Sequence, residues 1–77
     1  MPHVIVKLWP GRTEEQKHAL ADRITGALKE TMNASDSSIS IAIEEIPELE
    51  WKDRVYDPEI MAKKDILYKE PDYTIPE

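Results

Sequence analysis

Ser38-Ile39-Ser40-Ile41-Ala42-Ile43-Glu44 alternates isoleucine with small residues at every step. Successive side chains of a strand point to opposite faces, so Ile39, Ile41 and Ile43 share one face and Ser38, Ser40 and Ala42 the other. The stretch reads as a half-buried β-strand. Upstream of it, Thr13 opens a helix, with Gln16 placed to complete a capping box and Glu14 and Glu15 in the dipole-favoured first turn. Leu20, Ile24, Ala27, Leu28 and Met32 recur at helical spacing, while Asp22, Arg23, Lys29 and Glu30 lie largely off that face. The helix stops near Asn33, where Asn-Ala-Ser-Asp-Ser-Ser is loop chemistry. Further back, His3-Val4-Ile5-Val6-Lys7-Leu8-Trp9 is β-branched and aromatic and ends at the turn pair Pro10-Gly11. Strand, long helix, strand makes a βαβ unit, with parallel strands and a right-handed crossover.

Downstream of Pro47 the periodicity weakens. Trp51 stands in the charged run Glu48-Leu49-Glu50-Trp51-Lys52-Asp53-Arg54. Asp57-Pro58-Glu59 reads as a helix start, with proline at the first helical position. A short helix through Ile60, Met61, Lys64, Leu67 and Tyr68 is expected to end before Pro71. Residues 72–77 read as a docked arm or a disordered tail. The expected class is α+β: one domain over residues 1–77, with a β-α-β unit and a short C-terminal helix.

A chain of 77 residues buries only about 60% of the surface its unfolded form exposes. There is no cysteine, and His3 and His18 are too far apart in sequence to make a ligand pair, so neither disulfide nor metal staples the core. Two strands alone do not make a stable sheet. Association with a second copy, giving a four-stranded sheet, is the remaining route. The net charge of −6 and scattered basic residues argue against nucleic acid. No stretch approaches the roughly 20 apolar residues of a membrane span. The start of the chain lacks a signal-peptide pattern, and the expected location is the cytoplasm.

Chemistry could begin at Pro2. Aminopeptidases that remove initiator methionine accept a small second residue, and removal of Met1 would leave a free prolyl amine. An α-amino group titrates near roughly 8, and burial or a nearby guanidinium lowers that value. A base poised near neutral pH is what proton abstraction beside a carbonyl requires. Glu44 and Glu45 are no carboxylate pair, because neighbours on a strand face opposite ways. His18, on the helix, reads as solvent-exposed.

Met1-Pro2-His3-Val4-Ile5-Val6-Lys7-Leu8-Trp9-Pro10-Gly11-Arg12-Thr13-Glu14-Glu15-Gln16-Lys17 resembles the start of the 4-oxalocrotonate tautomerase family. In that family an N-terminal proline begins the first strand, a Gly-Arg pair ends it and a Ser/Thr-acid-Glu-Gln-Lys turn opens the helix. The match runs without gaps to Ser37-Ser38-Ile39. Asp36-Ser37-Ser38-Ile39-Ser40-Ile41-Ala42, with the extended C-terminal region, is similar to the longer phenylpyruvate-tautomerase, PptA-like, branch, whose members are mostly dimers; shorter members are usually hexamers.

The resemblance implies a cofactor-free and metal-free keto–enol tautomerase with Pro2 as general base. It implies that Arg12 holds a substrate carboxylate, that Ser38 is a small polar residue near the pocket, and that Trp9 and Trp51 are apolar walls. At position 40 the dicarboxylate-processing members carry a second arginine, and this chain has Ser40. That points away from dicarboxylates and toward a monocarboxylate 2-oxo acid of the phenylpyruvate kind. Arg54, Lys52 and His3 are the candidates to replace the missing cation. Two other functions are weighed against this: an unsaturated-acid hydratase or dehalogenase of the same superfamily, and a non-catalytic dimeric binding module.

The role of Pro2 as a base requires that Met1 be gone, since an acylated proline nitrogen is an amide. Intact mass spectrometry of the native protein should show a chain one methionine residue lighter than the full sequence; a fully retained Met1 would sink the proline mechanism.

Overall fold

The computed structural model describes residues 1–77. Its element order begins with strand β1 (His3–Leu8), helix α1 (Glu14–Met32) and strand β2 (Ser40–Glu45). The two strands pair in parallel, with His3 opposite Ser40 and Leu8 opposite Glu45. The βαβ reading therefore holds. By contact, the chain divides into two compact units, 1–45 and 46–77.

Helix α1 starts where its capping box dictates. The Thr13 hydroxyl accepts the Gln16 N–H at 3.1 Å, and the Gln16 side chain accepts the Thr13 N–H at 2.9 Å. Two of the orphan donors of the first turn are thereby satisfied. Gly11, at φ 127°, makes the turn out of β1 in a region that disfavours a side chain. Asn33 ends the helix in the left-handed conformation, φ 53°, and its N–H bonds the Leu28 carbonyl.

The alternation expected of β2 is visible in its ion pairs. Glu44 reaches Lys7 of β1 at 3.9 Å, while Glu45 reaches Lys17 of α1 at 3.7 Å, so the two carboxylates leave the sheet on opposite sides. Ile41 and Ile43 share the helix-facing side with Glu45. They line a shallow groove with Glu14, Lys17, His18 and Ala21 of α1. Lys17 also pairs with Glu14, and their hydrogen bond holds the Glu14 carboxyl below its usual range and the Lys17 ammonium above it. Strand β2 starts two residues later than its alternation suggests. Asp36–Ser38 instead forms a 3₁₀ turn, closed by the Ser38 hydroxyl donating to the Ser35 carbonyl at 2.8 Å.

The second unit departs further from expectation. Glu48–Glu50 is a 3₁₀ turn, Lys52–Met61 a π-helix and Lys64–Ile66 another 3₁₀ turn. The helix expected to start at Asp57 starts at Lys52 and ends at Met61, with Pro58 inside it. Its wide i→i+5 bonding gives about 4.4 residues per turn. That period aligns Trp51, Val55, Tyr56 and Ile60, none of which is exposed. It also aligns Lys52 with Asp57, which meet at 2.8 Å, and that bond raises the Lys52 ammonium above its usual range. Asp57, read as a cap, is thus a mid-helix ion-pair partner, and its carbonyl accepts the Ala62 N–H at 3.0 Å.

Ile46, Val55 and Tyr56 are the buried apolar residues, and all three belong to 46–77. No residue of 1–45 is fully buried. No helix is long and apolar enough to cross a membrane.

Removing the cap tests how much α1 depends on it. Thr13→Ala should destabilise the protein by about 1 kcal/mol, lowering the melting midpoint by roughly 4–8 °C in a chain of this size; thermal denaturation followed by circular dichroism measures this.

Candidate active site

Pro2 lies at the start of β1 and is half-buried. Its carbonyl accepts the Ser40 N–H at 3.2 Å, one rung before the regular ladder. The residue is therefore tied to the sheet rather than frayed. Next to it His3 and Ser40 are register partners on the side away from the helix. His3 Nδ1 and Ser40 Oγ are 2.6 Å apart. Pro2, His3 and Ser40 thus form one cluster at the N-terminal end of the parallel pair.

Trp9 and Arg12 lie at the opposite end of β1. At about 3.3 Å per residue, the strand separates Pro2 from Trp9 by on the order of 20 Å. Arg12 follows Gly11 and precedes the Thr13 cap; it is exposed and makes none of the ion pairs of the chain. Trp9 is 45% exposed. A small substrate cannot touch Pro2 and Arg12 of the same chain. Ser38 sits closer to the proline end, but its hydroxyl hydrogen is committed to the Ser35 carbonyl.

Trp51 belongs to the second unit, between the first 3₁₀ turn and the π-helix. Its indole Nε1–H donates to the Tyr73 hydroxyl at 3.1 Å. The Tyr73 ring in turn lies 5.7 Å, centroid to centroid, from that of buried Tyr56, tilted by 34°. The segment read as a docked arm or disordered tail is therefore anchored at Tyr73, and it fixes the tryptophan. Neither the Tyr73 anchor nor the His3–Ser40 pair is legible in the sequence. The signal for His3 and Ser40 exists only once the register is known, and Tyr73 carried no periodic signal at all. Lys52 and Arg54 are occupied by Asp57 and Glu50, at 2.8 and 2.9 Å. The chain contains no group of three or more His, Cys, Asp or Glu residues able to hold a metal ion.

Residues 2–52 match the sequence model of the family described as tautomerase enzymes. The chain is 43% identical over 75 residues to the tautomerase PptA of Pectobacterium carotovorum, covering 96% of this chain and 99% of that one. It is 40% identical over 76 residues to the tautomerase PptA of Escherichia coli, covering 97% of this chain and all of the other. Among solved structures it is similar to YwhB, a homologue of 4-oxalocrotonate tautomerase. There the TM-score is 0.60 and the identity 47%, over 61% of this chain and 77% of that one.

The Tyr73 anchor predicts a spectroscopic effect. Tyr73→Phe keeps the ring on Tyr56 but removes the acceptor for the Trp51 indole, so the tryptophan emission should change while the far-ultraviolet circular dichroism does not. An unchanged emission spectrum would mean that the bond does not hold Trp51 in solution.

Proposed function

This chain belongs to the tautomerase enzyme family, and from that membership we propose that it interconverts the enol and keto forms of a phenylpyruvate-like 2-oxo acid with Pro2 as general base. It is a tautomerase, an isomerase acting on a small molecule. The observation that supports the finer reading is the tethering of Pro2 at the start of the sheet through its own carbonyl, which orders the residue. A neutral secondary amine there takes the proton from the enol hydroxyl or the α-carbon, and the prolinium returns it to the other end of the enol or dienol. Arg12 holds the carboxylate, for which the planar guanidinium fork is suited. Trp9 and Trp51 supply apolar walls, and the small Ser38 leaves room beside the pocket. Ser40, where the dicarboxylate-processing members of the family carry arginine, supports a single-carboxylate substrate with an aromatic tail.

The 20 Å scale of β1 adds a condition. Pro2 and Arg12 can meet one substrate only if they come from different copies. Pairing of two β1 edges, antiparallel across a two-fold axis, would bring the proline end of one copy to the Trp9–Arg12 end of its partner. The lack of any fully buried residue in 1–45, and the two unpaired edges of a two-stranded sheet, support such a pairing. The active unit is then a homodimer, alone or within a hexamer. Relatives of nearly the same length align across both compact units, which supports reading 1–77 as one tautomerase domain.

Two experiments test this reading. Ketonisation of phenylenolpyruvate should fall by about 10²-fold or more in Pro2→Ala, in line with the usual contribution of a general base. Mixing Pro2→Ala chains with Arg12→Ala chains distinguishes shared from private sites. If sites are shared, each mixed dimer has one site carrying both lesions and one carrying neither, and random mixing restores roughly a quarter of wild-type activity. No recovery on mixing, with subunit exchange verified by mass spectrometry, would show that each site is built from a single chain.

A further inference from the structure

We propose that the Ser40 hydroxyl, oriented by His3, hydrogen-bonds the 2-oxo oxygen of the substrate and stabilises the negative charge that develops on it. The inference rests on Pro2 being the base. It makes Ser40 a catalytic residue and His3 a positioning residue.

Position comes first. The Ser40 N–H bonds the Pro2 carbonyl at 3.2 Å, so the serine is fixed to the base-bearing residue by the backbone itself. In the enol of a 2-oxo acid, the oxygen that loses its proton is bonded to C2 and the carbon that gains one is C3, so one base serves both. A donor for that oxygen must therefore lie near the base, and the backbone bond makes Ser40 the neighbour of Pro2 on the adjoining strand. Both His3 and Ser40 are exposed, so the pair is open to a ligand. Along the same face the next register pair is apolar, Ile5 with Ala42, and only beyond it come Lys7 and Glu44, which meet each other. No carboxylate or ammonium of this sheet face stands between the pair and the end of the sheet.

The direction of the 2.6 Å His3–Ser40 bond decides what the hydroxyl can do. A serine hydroxyl has one hydrogen and two lone pairs. If that hydrogen went to Nδ1, none would remain for substrate. With the proton on Nδ1, the ring donates to Oγ and the hydroxyl hydrogen is free. The donors then line up from Nδ1–H to Oγ–H to the substrate oxygen, and each bond polarises the next. Charge arriving on the oxygen favours this polarity. The step balances without proton loss from serine. The Pro2 nitrogen lone pair takes the enol proton, and the oxygen retains the O–H electron pair under the Ser40 hydrogen bond. The prolinium N–H then protonates C3 as the C2=O double bond re-forms.

Steady-state kinetics of phenylenolpyruvate ketonisation by the full chain test the proposal. Ser40→Ala keeps the backbone bond to Pro2 and should lower kcat about 10-fold with KM within twofold, less than a fully buried oxyanion donor contributes. Ser40→Thr keeps a hydroxyl on a strand-favouring residue and should retain most of kcat. His3→Leu should behave as Ser40→Ala, and His3→Asn, whose amide N–H reaches the place of Nδ1–H, should restore activity. A wild-type kcat in Ser40→Ala, or no rescue by His3→Asn relative to His3→Leu in folded proteins, would overturn the inference. So would ring nitrogen NMR showing Nδ1 unprotonated in the complex with a 2-oxo acid inhibitor. Carbamoylation of the amino terminus separates the two levels. Full activity after blocking refutes the Pro2 base and this inference with it, whereas loss of activity together with an unaffected Ser40→Ala refutes this inference alone.

Discussion

The parallel pairing of β1 with β2 is the constraint on which the rest of the first unit depends. Parallel strands cannot be joined by a tight turn, so the chain must return along their full length before the second strand begins. Helix α1 is that return, and its capping box and left-handed Asn33 set where it starts and stops. The same pairing sets His3 against Ser40 and pulls residue 2 into the ladder through its carbonyl. Residue 2 is therefore ordered because the register demands it.

The pairing also leaves the unit unfinished. With one helix over one face of two strands, every residue of 1–45 retains some solvent exposure, and the open sheet face carries Ile5 at 53%. The proline cluster and the arginine lie a strand's length apart. Incomplete burial and the separation of Pro2 from Arg12 are two consequences of the same small sheet, and the proposed association of two copies would answer both. Hydrophobic area, not a charged contact, would be its driving force.

How much of this was legible in the sequence differs between the two units for a physical reason. In 1–45 the periods are the common ones, 2.0 for Ile41 and Ile43 and 3.6 for Leu20, Ile24 and Leu28, so pattern and structure agree except at the start of β2. In 46–77 the helix is wound at about 4.4 residues per turn. Trp51, Val55, Tyr56 and Ile60 look irregular against a 3.6 template and fall into line only on the wider one. Lys52 and Asp57, five apart, likewise make no sense as an ordinary helical pair, and Asp57-Pro58 imitates a helix start that the wider winding absorbs.

The sequence by itself determined the βαβ order, the capped helix, the opposed faces of Glu44 and Glu45, and the candidate base at Pro2, because each follows from local periodicity or from the chemistry of one residue. Tertiary structure alone decided which residues meet. The contact of His3 with Ser40 spans 37 positions and that of Trp51 with Tyr73 spans 22; strand register creates the first and tail docking the second, and neither leaves a mark on sequence spacing. The distance between Pro2 and Arg12 is of another kind, because the length of the strand sets it. Both residues were visible from the outset as candidates, but only a strand laid straight between them shows that one chain cannot close a site around both.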